Sequence, residues 1–220
     1  MWRGPRGALL TGVGMLAIAC GSAPPPTFHP EGARPAGAVG AAGPSASRLA
    51  QTASQRVTWP PFGSDVHVIM PAWLPADRSE VPAVITAKNF LLAFLYAEYK
   101  ANQDHRWAIY VTGQVSGTLA SVLSQPVVTT ESFTGTIRFS QMRAFPDPST
   151  PGAVDVSECF SNARSVNIRL HTGHVIPDTT PPDQHHYRNT DVLATDPDGH
   201  WRVVSVYPVI YYPQAKECTA

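Results

Sequence analysis

Apolar residues keep a helical spacing as far as Ser124 and, beyond Pro126, alternate along the chain. Helical spacing followed by alternation points to helices packed on an antiparallel sheet. The helical part opens with a segment from Ser79 to about Lys100. Ser79 as N-cap puts Pro82 at the third helical position, where its missing N–H costs nothing. Thr86, Asn89, Ala93, Ala97 and Lys100 make one small or polar strip. Apart from Lys88 and Glu98 most of the rest is apolar, so this helix is expected to be largely buried. A shorter helix is expected from Asp104 to Val111, with Asp104 as its cap, and a third from about Gln114 to Ser124, where Val115, Leu119, Val122 and Leu123 share a face.

Upstream, Asp65 to Met70 reads as a short edge strand halted by Pro71. Downstream, strands are expected at Phe133 to Arg143, Gly152 to Phe160, Ser165 to Leu170, His185 to Ala194 and His200 to Tyr212. Asp196-Pro197-Asp198-Gly199 is a hairpin turn between the last two. The expected class is therefore α+β, with N-terminal helices packed on one face of a curved antiparallel sheet.

The N-terminus carries a different kind of signal. Arg3 and Arg6 precede an apolar run from Ala8 to Ala19, too short for a permanent membrane span and laid out as a signal peptide. The run ends in Ala17-Ile18-Ala19-Cys20-Gly21-Ser22, which resembles a bacterial lipobox, although Ala17 stands where Leu is more usual. Residues 1–19 are thus expected to be removed and Cys20 to carry a lipid; the alternative is an ordinary secretory signal that leaves Cys20 as an open thiol. Residues 20–56 are mostly Ala, Gly, Pro and Ser, a composition that cannot bury enough surface to fold, and are read as a tether. A coil of that length has a mean reach of roughly 30 Å. Residues 57–220 are read as one domain.

Three cysteines is an odd count for an exported chain. Lipidation of Cys20 leaves Cys159 and Cys218, which are expected to pair, the alternative being two separately buried thiols. The bridge would close a loop of about 60 residues and contribute on the order of 4 kcal/mol. Two of the 16 basic residues lie in the signal segment, so 14 remain against 16 acidic ones. They are scattered, which excludes a nucleic-acid footprint and argues against electrostatic docking on anionic lipid as the main role.

Several stretches match a known group. The helix Asn89-Phe90-Leu91-Leu92-Ala93-Phe94-Leu95-Tyr96, the segment Ser157-Glu158-Cys159-Phe160, the hairpin Thr172-Gly173-His174-Val175-Ile176, the strand Trp201-Arg202-Val203-Val204 and the closing Pro213-Gln214-Ala215-Lys216-Glu217-Cys218 resemble secreted actinobacterial lipoproteins of the nuclear transport factor 2-like (SnoaL-like) fold class. That resemblance spans about Trp59 to Cys218. It implies a cone-shaped domain outside the cytoplasm and no particular reaction.

Candidate chemistry is thin. His171, His174, His185 and His186 invite a metal, but the first two straddle a turn and the last two point to opposite faces, so edge or solvent-facing histidines are expected and no metal or other cofactor is called for. Tyr187, Asn189 and Asp191 share one strand face. If that face lines a cone, Asp191 as proton acceptor and Tyr187 as oxyanion donor would suit an isomerase or cyclase; if it faces out, they are solvated polar residues, the simpler account. Tyr96, Tyr99, Trp107 and Tyr110 close the cone from the helical side, as core or as a cavity wall. Nucleophile elbows, Gly-rich phosphate loops and paired carboxylates are not discernible. The functional expectation is a non-catalytic binding module on a membrane anchor, for an apolar small ligand or an envelope protein, with the Asp191/Tyr187 enzyme as rival.

Overall fold

A computed structural model describes residues 62–181, 184–211 and 213–219. Cys20, the signal segment and the tether lie outside the described residues. The elements run β1 (Val66–Ile69), α1 (Val81–Tyr99), a 3-10 turn (Arg106–Tyr110), α2 (Gly113–Leu123), α3 (Pro126–Thr130), β2 (Glu131–Pro146), β3 (Val154–Arg169), β4 (Val175–Ile176), β5 (His186–Thr195), β6 (Trp201–Val206), β7 (Ile210–Tyr211) and a closing 3-10 turn (Lys216–Thr219). The sheet has the order β1-β2-β3-β5-β6, with β4 on β3 and β7 on β5; β1 is parallel to β2 and every other pair is antiparallel. The class is α+β, helices on one face of a mainly antiparallel sheet.

The sheet bends where its register shifts, between Thr136 and Arg138, Ser140 and Arg143, and Val192 and Leu193, because an extra residue on one strand kinks the ladder and increases its twist. Gly135 sits beside the first of these with φ +97, and a Cβ there would run into the backbone oxygen of Arg164. Gly199 supplies the positive φ of the β5–β6 turn, whose Asp196 Oδ1 accepts from the N–H groups of Asp198 and His200.

Helix α1 crosses the concave face and packs on β2, β3, β5 and β6. It is long and apolar enough to span a bilayer, but it is buried as the core of this domain, with Ala83, Val84, Ala87, Ala93 and Ala97 fully inaccessible and Phe94 at 1% exposure. Its alanines let the backbone approach the sheet while Phe90, Leu91 and Phe94 fill the space beside them.

Several boundaries differ from the sequence reading. The N-cap of α1 is Glu80, not Ser79: the Ser79 amide and hydroxyl both bond Asp77 Oδ1, which closes a local turn before the helix begins. The segment expected as a helix from Asp104 tightens into a 3-10 turn, because Asp104 binds the Arg106 amide and guanidinium and holds the chain in an Asx turn. A short helix, α3, stands where strand character was expected to begin, with Pro126 in its first turn. The strands expected at Gly152 to Phe160 and Ser165 to Leu170 are one continuous strand, β3, in which the Ser165 hydroxyl donates to the Asn162 carbonyl at 2.8 Å where the register against β2 shifts. The single strand expected from His200 to Tyr212 is two, β6 and β7, divided at Tyr207-Pro208. Pro208 has no N–H to extend the ladder, and the Tyr207 amide closes β6 on Thr190 O.

Cys159 and Cys218 form a disulfide, with Cα atoms 5.3 Å apart across a separation of 59 residues. It pins the C-terminal segment to the outer, convex face of β3. Gln141 donates to the Glu217 carbonyl at 2.7 Å and Arg188 pairs with the Glu217 carboxylate at 2.5 Å, so three contacts hold that strap across the sheet.

Candidate functional site

Strand parity decides what faces α1. On β3, Val154, Val156, Glu158 and Phe160 point inward; on β5, Tyr187, Asn189, Asp191 and Leu193 do. Register sets Glu158 opposite Asn189 and Val156 opposite Asp191. Tyr187, Asn189 and Asp191 are therefore not solvated residues of the convex face: their exposures are 5%, 1% and 0%. The long hydrophobic pattern of β3 fixes this, because turning these three outward would expose Val154, Val156 and Phe160.

The interior thus holds a carboxylate pair. Asn189 Nδ2 donates to Glu158 Oε1 at 2.8 Å and to Asp191 Oδ1 at 3.2 Å, bridging two acids that are each wholly inaccessible. Glu158 Oε2, Asp191 Oδ2 and Asn189 Oδ1 have no partner among the described residues. Burial raises Asp191 to about 7, the Asn189 bond only partly opposing it. Burial also pushes Glu158 well above the carboxylate range, with repulsion from Asp191 adding to it and the Asn189 bond opposing. The pair therefore keeps a proton through neutrality. Glu98 of α1 is a third buried acid, raised by burial to about 8, with both oxygens unpartnered among the described residues.

The remaining sequence candidates do not join this cluster. Tyr187 stacks on Phe160 at 4.8 Å and meets Tyr211 edge-on, and burial lifts its phenol to about 12. It lies four residues from Asp191 along a strand, about 13 Å between Cα atoms, and its ring is taken up by the Phe160 and Tyr211 contacts. Tyr96 packs on Phe62 and Tyr99 under the guanidinium of Arg106, and Trp107 is buried at 3% exposure in the helical core. Both are packing residues rather than walls of a shared pocket. His185, expected to be at an edge or solvent-facing, is buried: its ring lies 3.0 Å from Asn162 Oδ1 and 3.2 Å from Thr180 O. Among the described residues no three His, Cys, Asp or Glu side chains converge as a metal site.

Glu158 escaped the sequence reading although its signal was present. It shares parity with Val154, Val156 and Phe160 on a strand, which places a charged residue in a core row. Glu98, in an otherwise apolar turn of α1, carries the same mark.

Open space is distributed unevenly. The gap beneath α1, among Leu91, Leu95, Phe139, Glu158, Phe160 and Asn189, holds about 10 Å³. Outside, a groove of about 660 Å³ runs between α2 and the β6 edge, and one of about 640 Å³ crosses the convex face under the C-terminal strap.

No family model matches the sequence, and no curated protein matches it significantly. Solved structures align over part of it. ActVI-ORFA from Streptomyces coelicolor is 9% identical, with 60% of this chain and 93% of that one covered and a TM-score of 0.38. A protein from Catenulispora acidiphila is 14% identical over 63% and 98% of the two chains, with a TM-score of 0.37. A ketosteroid isomerase-like protein from Erwinia carotovora atroseptica is 15% identical over 60% and 95%, with a TM-score of 0.35. At these scores the likenesses carry no argument, and the α+β class stands on the chain's own topology.

Proposed function

We propose that this chain is a lipid-anchored, extracytoplasmic binding module without catalytic activity, which meets its ligand or an envelope partner on an outer groove of the sheet. The filled interior carries this reading. A gap of about 10 Å³ admits one water at most, so neither an apolar ligand nor a substrate fits beneath α1, whereas each outer groove falls in the size range of small-molecule sites.

The anchor rests on the sequence of the leader: Arg3 and Arg6, the apolar run and Cys20 after Ala19. Growth with an alkyne palmitate analogue is expected to label the wild-type chain and not Cys20→Ala; an unlabelled wild type removes the anchor. An isomerase- or cyclase-type enzyme is the second reading, and the observation on its side is the buried Glu158–Asn189–Asp191 cluster, whose Glu158 Oε2 and Asp191 Oδ2 have no partner among the described residues. Turnover of any substrate that is lost in Asp191→Asn would overturn the binding module.

A further inference from the structure

The convex groove is lined by groups that the fold does not use. Arg143 of β2, Ser157 of β3 and Thr190 of β5 form one cross-strand row. Beside it, Phe145 stands opposite Asp155. Arg143 forms no ion pair among the described residues, and the Ser157 and Thr190 hydroxyls form no hydrogen bond among them. Asp155 is only 4% exposed, and its Oδ1 has no partner among the described residues although it borders a groove of about 640 Å³. Two rings, Phe145 and Tyr207, line the same groove and are each 42% exposed. The opposite end is closed by the strap and the Arg188–Glu217 pair.

Resting on the binding-module reading, we propose that this groove binds a hydroxyl-rich saccharide chain. The floor mixes an acceptor, a forked donor and two hydroxyls that can do either, and sugar hydroxyls likewise both donate and accept. The exposed rings offer flat apolar faces for the C–H faces of pyranose rings. A wholly apolar ligand would leave the Asp155 carboxylate and the Arg143 guanidinium buried without partners. A polyanion would meet Asp155 and Glu217. An extended peptide finds no free edge on β3 or β5, inner strands whose backbone groups are already spent on neighbouring ladders.

The test is calorimetric titration of the purified full-length chain with β-1,4-linked N-acetylglucosamine tetra- and hexasaccharides. Saturable binding is expected, weakened about tenfold or more by Phe145→Ala and by Arg143→Ala, both exposed positions, and unchanged by Ile109→Ala on another surface. Absence of heat at millimolar saccharide overturns the proposal, as does binding that both groove variants leave intact. Saturation by an unglycosylated peptide instead of the saccharides overturns the ligand class while leaving the binding module standing. The module itself falls only to turnover lost in Asp191→Asn.

Discussion

A carboxylate withdrawn from water into an apolar core holds its proton to higher pH, and Glu98, Glu158 and Asp191 are all in that position. Each binds its proton more tightly folded than unfolded, so their contribution to stability is full below the ordinary carboxylate range and is lost as pH rises towards the folded values of about 7 for Asp191 and about 8 for Glu98. Asp77, Asp104, Asp147 and Asp196, held below that range mainly by hydrogen bonds from Ser79, Arg106, Ser149 and His200, have the opposite sign and lose their contribution as pH falls through their lowered values. Stability is therefore expected to peak near pH 4 to 5 and to fall towards pH 8 by on the order of a few kcal/mol, as measured by urea unfolding. Asp191→Asn is expected to flatten that slope and to raise the urea midpoint at pH 8; a slope unchanged in the variant would remove the buried acid as its source. Asp191 was legible in the sequence as a candidate, but its burial was not: alternation gives two faces and does not say which is inside.

Among the elements, α1 and β3 carry the fold. Helix α1 supplies the concave face with Phe90, Leu91 and Phe94, and truncating Phe94, at 1% exposure, leaves a cavity in the core. Phe94→Ala is expected to cost about 3–5 kcal/mol in equilibrium unfolding. Gly135→Ala tests the sheet: with φ +97 and the Arg164 backbone in the path of a Cβ, the β2–β3 ladder must shift, and a loss of at least about 1 kcal/mol is expected. An unchanged denaturant midpoint would show that the bend tolerates a side chain. The existence and type of α1, α2 and the β5–β6 hairpin were legible from period and turn chemistry. The breaks were not, because they depend on local competition: Asp104 with a helix, Pro208 with a ladder.

For the whole molecule, the disulfide and the Glu217 contacts hold residues 213–219 across the convex face, where Glu217 closes one end of the groove. The Cys159→Ser, Cys218→Ser double variant is expected to lose about 2–5 kcal/mol and, in the same protein, the saccharide affinity of the groove; retention of both would reduce the bridge to a passive link. The sequence by itself determined the class and the order of helices before strands, because period, turn residues and composition are local properties. Only the tertiary structure decided which strand face is buried, that Glu158 and Asp191 meet through Asn189 beneath α1, and that the two large grooves lie outside that gap. Those outcomes depend on how side chains from distant strands fill the volume beneath α1, and no local pattern encodes that sum.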